Sequence, residues 1–442
     1  MRSAYDLAAE IDAGDIMDLL ITEKLFTNNF TKKSEEDSFI SAVGKGYLSV
    51  VKHYVENGMY VNARDNKQNT ALILAIKKIG DQKKTNNPCL QSTNESAVKN
   101  NNDCRYRSII DLILAGKPYF EATDDDFNSA FMVAVKYGND EVVELIINKF
   151  PEAMLQRDRH GRTSLMLASR LGLEKPVALI ISRDKQTVHH LDRNGQNSLM
   201  LAAIGGHLKV VHILLEFGGE GQLKIEDNKG MTSLLYAAEH GKVRLVEYLM
   251  NRMRRSQVSR RDRRERTCLM LAAKNGHLDV VRYLVEKNAG VGSVDAVGRT
   301  SLMHAVIGGH TRVVRYLVNK EDVLHKDRFN HTALDLAISR NHSAVVSFLV
   351  NQNSIVNQKS LILAAKARDV MMLRFLKWKM PSPEVNYGEL CKCLHLMVSS
   401  GEDELTKYLK KKVTTETFGK CLVVVKYLFF NHRKIYFRYY LS

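Results

Sequence analysis

A segment of about 33 residues recurs in phase along most of this chain, and nothing else in the sequence constrains its fold as tightly. "DRHGRTSLMLASRLG" starts at Asp158 and "DRNGQNSLMLAAIGGHLKVVHILLE" at Asp192. "DNKGMTSLLYAAEHGKVRLVEYLM" starts at Asp227 and "DRRERTCLMLAAKNGHLDVVRYLVE" at Asp262. Two more copies start at Asp295 and Asp327. The threonine-like position falls at Thr163, Asn197, Thr232, Thr267, Thr300 and Thr332, in steps of 34, 35, 35, 33 and 32 residues. Upstream, Ser129 and Thr70 hold the same position, and a further copy begins at Asp37. A fixed period of this length is the signature of a stacked array, in which no unit can bury its apolar face alone.

Each unit has a physical reading. The threonine is a helix N-cap, because its hydroxyl can accept an orphan N–H of the first turn. Leu-x-x-Ala-Ala gives a narrow apolar stripe, and its small alanines let a neighbouring helix come close. Gly or Asn ends the first helix in a left-handed cap. "LDVVRYLVE" is a second amphipathic helix with apolar positions three and four apart. Asp and Gly then form a projecting turn, or finger.

Together, the period, the T-x-L-x-x-A-A, the G-H and the V-V-x-x-L-[LV] resemble the ankyrin repeat. The resemblance covers roughly residues 35–380. It implies an all-α ankyrin-repeat solenoid of helix-turn-helix units with short β-hairpin-like fingers. It also implies that fingers and first helices line a concave face that binds protein. Met132, Met166, Met200, Met270 and Met303 stand where that family usually has His, so thioether packing is expected to replace its histidine hydrogen bonds. This Met-bearing style is similar to large ankyrin arrays of parasitic protists, some of which follow a protein-kinase domain.

The chain divides into a degenerate N-terminal capping repeat at 1–36, the array at 37–380, a degenerate C-terminal capping repeat at 381–412, and a basic aromatic tail at 413–442. A polar, Asn-rich insertion at about 81–104 reads as a disordered loop. The tail holds eight of the 32 Phe and Tyr residues without any repeat phase. It reads as a membrane-interface or docking segment, as a strand-prone extension on the last repeat, or as sequence from an erroneous gene model.

The functional signals are few. No phosphate-binding glycine loop, kinase motif or G-x-S-x-G is present, so the chain reads as no enzyme and no cofactor is expected. Cys391, Cys393 and His395 offer three metal ligands where a structural zinc needs four, so no metal is expected. His207, His277 and His310 close the first helix of their units and read as structural; His189 and His190 read as solvated residues of a finger turn. Six cysteines without regular spacing argue against a disulfide framework. No signal peptide and no membrane-spanning run is visible, which points to the cytoplasm, with a cytoskeletal association or nuclear entry left open.

The net charge of +16 favours an acidic partner. Its densest source is "RMRRSQVSRRDRRERT" at 252–267, whose register makes it a finger rather than a linker. Arg254, Arg255, Arg260, Arg261, Arg263, Arg264 and Arg266 are the candidate partner-binding residues. Read blandly, the run is a solvated surface; two sharper readings are a contact for an acidic protein and a nuclear-import signal. Nucleic acid ranks below these, because no aromatic platform or groove-reading helix accompanies the patch. Ser256 resembles a basophilic-kinase site whose phosphorylation would cut the local charge. Glu265 takes the place of the turn glycine, so this finger is expected to be less regular. The functional reading is a non-catalytic scaffold or adaptor for an acidic or cytoskeletal partner. The alternatives are the regulatory array of a kinase system that lacks its kinase, and a basic-patch nucleic-acid binder.

Overall fold

A computed structural model describes residues 32–380, except 59, 85–101, 120–121, 254–258, 353 and 368. Arg254, Arg255, Ser256, Cys391, Cys393, His395, most of the N-terminal cap, the C-terminal cap and the tail lie outside the described residues. Two compact units divide the chain, one ending at Ser233 and one beginning at Leu234.

In the first unit, helices pair as α1 (Lys32–Lys45) with α2 (Leu48–Glu56), and α3 (Ala71–Lys84) with α4 (Asn102–Ala115). The next pairs are α5 (Ala130–Lys136) with α6 (Asp140–Lys149), α7 (Ser164–Leu171) with α8 (Glu174–Arg183), and α9 (Ser198–Gly205) with α10 (Leu208–Gly218). After α11 (Ser233–Glu239), whose first residue lies at the division, and α12 (Val243–Arg252), the second unit pairs α13 (Cys268–Lys274) with α14 (Leu278–Glu286), and α15 (Ser301–Ile307) with α16 (Thr311–Leu317). It continues with α17 (Ala333–Ser339) and α18 (Ser343–Asn351), then α19 (Gln358–Lys366) and α20 (Val370–Lys379). Short 3-10 turns follow α6, α8 and α10. Among the described residues, β structure amounts to isolated antiparallel bridges, Arg64 with Thr70 and Thr123 with Ser129.

Within each unit, first helices pack on first helices and second helices on second helices. Thus α5 lies on α7 and α7 on α9, while α6 lies on α8 and α8 on α10. In the second unit, α13, α15, α17 and α19 form one such layer, and α12, α14, α16 and α18 the other. The sequence pattern explains both layers. Leu199, Ala202 and Ala203 of α9 and Leu269, Ala272 and Ala273 of α13 are buried, as is the Val-Val-x-x-Leu of α10, α14, α16 and α18, for example Val280, Val281 and Leu284. Each fully buried Val or Leu contributes about 1.5–3 kcal/mol. The five methionines at the family's His position are all buried, consistent with packing in place of polar contacts. In the unit of α15 the next residue, His304, supplies a histidine contact instead: its Nε2 lies 2.9 Å from Asp295 Oδ2 in the interior.

The caps follow the sequence. Thr163, Thr267 and Thr300 accept the N–H of Met166, Met270 and Met303, and Asn197 accepts that of Met200. Gly172, Gly206, Gly241, Gly276 and Gly309 take the left-handed conformation after the first helix. The insertion behaves differently from a loop at its edges: 81–84 continue α3 and 102–104 begin α4, so the two helices extend into it. Its interior lies outside the described residues.

Candidate interaction surface

Eight fingers among the described residues share one hydrogen-bonded frame built on Asp65, Asp124, Asp158, Asp192, Asp227, Asp262, Asp295 and Asp327. In each, a carboxylate oxygen accepts the backbone N–H of the residues two and four positions on, as Asp262 does from Arg264 at 3.0 Å and Arg266 at 2.8 Å. The residue at the third position turns back with positive φ and donates to the carbonyl of the aspartate. The frame explains why Asp recurs: it saturates N–H groups that a tight turn cannot pair, and the rim of an array cannot leave them buried and unmade.

Burial by itself raises the carboxyls of Asp158, Asp124 and Asp295. Hydrogen bonds outweigh it and hold all three below the ordinary Asp value: from Arg162 to Asp158, from Lys77 and Asn128 to Asp124, and from His304 and backbone N–H groups to Asp295. Successive fingers are also tied to one another. Arg193 N–H donates to His160 O at 3.0 Å in the first unit, and Ala296 N–H to Arg264 O at 3.0 Å in the second.

The frame sorts the arginine run. Arg261 donates to Val294 O at 2.9 Å. Arg157 makes the same reach to Leu191 O at 2.7 Å, and Arg64 to Thr123 O at 3.2 Å. An arginine just before the finger aspartate is therefore a clamp on the next finger. Arg266 holds Asp262 through Nε at 2.7 Å and a terminal nitrogen at 2.6 Å, as Arg162 holds Asp158. Arg263 and Arg264 occupy the tip, exposed, and neither guanidinium meets a partner among the described residues; Arg260 is exposed beside them. The clamps come from inter-repeat neighbours, so only a comparison of Arg64, Arg157 and Arg261 at their common register could have hinted at them in the sequence.

The expected irregularity at Glu265 is absent. Glu265 adopts φ 58° and its N–H reaches Asp262 O at 2.8 Å, matching the bond of Gly161 to Asp158. The aspartate frame dictates the turn, and a side chain there is held in a left-handed conformation at a cost of about 1 kcal/mol.

The histidines are framework. His207, His277, His310 and His342 are N-cap residues of the second helices. Their Nε2 atoms sit 3.0, 2.9, 2.9 and 3.1 Å from carbonyls of the preceding unit's first helix, at Arg170, Glu239, Lys274 and Ile307. His189 and His190 stand after α8 on a 3-10 turn rather than in a finger. His189 Nδ1 is 2.8 Å from Gln222 Nε2, and burial lowers the half-buried His190.

A cleft of about 510 Å³ opens behind the arginine finger, lined by Ser259, Arg261, Cys268, Tyr283, Lys287 and Gly290 among others. The Cys268 thiol is fully buried and burial pushes it up to about 12, so it carries no thiolate chemistry at neutral pH. No group of three or more His, Cys, Asp or Glu side chains among the described residues is arranged to hold a metal ion. No helix among them is long and apolar enough to cross a membrane.

A protein-family model described as "Ankyrin repeats (3 copies)" matches residues 96–189, 177–262, 220–295, 254–327 and 269–360. No curated protein matches the chain.

Proposed function

The chain belongs to the ankyrin-repeat family, whose repeats are protein–protein interaction modules, and from that premise we propose that it is a non-catalytic scaffold that engages an acidic protein in the cytoplasm. The observation that carries this reading is the arginine finger. The array's own needs consume Arg261 and Arg266, whereas Arg263 and Arg264 project from the tip with no partner among the described residues. Fork-shaped guanidinium groups recognise carboxylates in pairs of charge-assisted hydrogen bonds. Arg260 flanks the tip, and Arg254 and Arg255 precede it in sequence. Phosphorylation of Ser256 would lower the net charge of the same run of sequence; intact-peptide mass spectrometry across growth states detects that modification.

Nucleic acid has less in its favour, since sequence-tolerant binding of single strands calls for aromatic stacking platforms beside the cations. The test is an affinity pull-down from native lysate with three baits: wild type, Arg263→Glu/Arg264→Glu, and Lys185→Glu/Lys224→Glu. The last removes the same charge from exposed sites elsewhere. A protein retained by the first and third baits and lost from the second supports the reading. The same partners on all three baits would overturn it.

A further inference from the structure

The finger tips are not uniformly basic. Lys67, Arg159, Arg193, Lys229, Arg263, Arg264 and Arg328 project from six of them. One tip is reversed. In the finger of Asp124, both outward positions are acidic, Asp125 and Asp126, and their exposed carboxylates have no partner among the described residues. The third position of that finger is Phe127, 57% exposed and held at φ 63°, where four other fingers have glycine. A bulky residue in the left-handed region is strained, and its ring gains nothing from burial here. An exposed aromatic at such a position, beside two unpaired carboxylates, has the make-up of an interaction hot spot.

We propose that the chain associates with a second copy of itself through unlike fingers: the acidic finger Asp124–Asn128 of one copy seats on the arginine finger Asp262–Arg266 of the other. This rests on the reading of the arginine finger as a contact for an acidic partner, and it names that partner. Asp125 and Asp126 meet Arg263 and Arg264 in carboxylate–guanidinium pairs, and the Phe127 ring lies against a guanidinium face. The two fingers share one aspartate-built frame, so their tips present matching turns with opposite charge. The contact is heterologous: each copy carries both halves, and assembly need not stop at a dimer.

The experiment is sedimentation velocity of the full chain over a concentration series. The wild type shows a weight-average sedimentation coefficient that rises with concentration. The rise is suppressed near about 1 M salt, where the Debye length falls to about 3 Å. Asp125→Arg/Asp126→Arg and Arg263→Asp/Arg264→Asp each abolish the rise, and an equimolar mixture of the two variants restores it. Each substitution gives one finger a charge that a sister finger already carries, so folding is preserved; circular dichroism verifies this. Phe127→Gly melts higher, yet associates more weakly by roughly three-fold. A wild type that stays monomeric at every concentration, or a mixture that fails to associate, overturns the proposal. If the wild type is monomeric while the pull-down still loses a foreign protein on Arg263→Glu/Arg264→Glu, self-association alone has failed and the arginine finger remains a contact.

Discussion

At the scale of the residue, the finger aspartate explains most of what the rim does. It fixes the turn so firmly that glycine becomes optional at the third position, which is why Glu265 fits without disturbing the frame. The strain it carries should be removable: Glu265→Gly is expected to stabilise the protein by about 1 kcal/mol, read as a higher urea midpoint at unchanged slope. The aspartates also set a pH dependence. Because the folded state holds Asp124, Asp158 and Asp295 below the ordinary value of 3.8, their contribution is fully present above that value. It is lost as pH falls from 3.8 through their lowered folded values. Glu321 acts oppositely. Burial raises it from 4.5 despite the N–H of Leu302 at 2.8 Å, so its contribution is present below 4.5 and lost as pH rises through the raised value. Asp295→Asn should therefore flatten the acid limb of a melting-temperature profile, and Glu321→Gln the opposite limb; a profile unmoved by either would show that these groups titrate alike folded and unfolded.

At the scale of the element, the glycine that ends a first helix and the histidine that starts the second helix of the next unit are one device. A Cβ on Gly172 would lie 2.3 Å from His207 Nδ1, and one on Gly241 would lie 2.4 Å from His277 Nδ1. Gly172→Ala is thus expected to cost about 2 kcal/mol or more, combining the left-handed penalty with a clash. Gly58→Ala, at φ 67° with nothing nearby, should cost only the penalty, about 1 kcal/mol. His207→Ala removes the bond to Arg170 O, yet should make Gly172→Ala cheaper, so the double-mutant cycle is non-additive. Additive costs would deny the contact. The sequence announces the helices, their caps and the turn, because each depends on residues within a few positions. It announces the G-H pair as structural but not its partner, since the ring meets a carbonyl more than 30 residues earlier. The same limit hid the clamp of Arg261 on Val294. Register between units is invisible until one unit is laid on another.

At the scale of the whole molecule, the packing inside each compact unit is that of an array, in which a helix touches its own partner and the helices of adjoining repeats. Stability in such a chain is close to a sum of unit and nearest-neighbour contributions, so a local loss stays local instead of spreading through one core. The chain offers a built-in reporter. Its single tryptophan is Trp378, on α20, many units away in sequence from Gly172. Far-ultraviolet circular dichroism sums over all helices, while anisotropy of Trp378 follows the segment that carries it. Gly172→Ala is accordingly expected to lower the first part of the urea transition seen by circular dichroism and to leave the Trp378 midpoint in place. If both midpoints moved together by the same amount, the array would be a single cooperative body, and the nearest-neighbour description would have to give way to a two-state one.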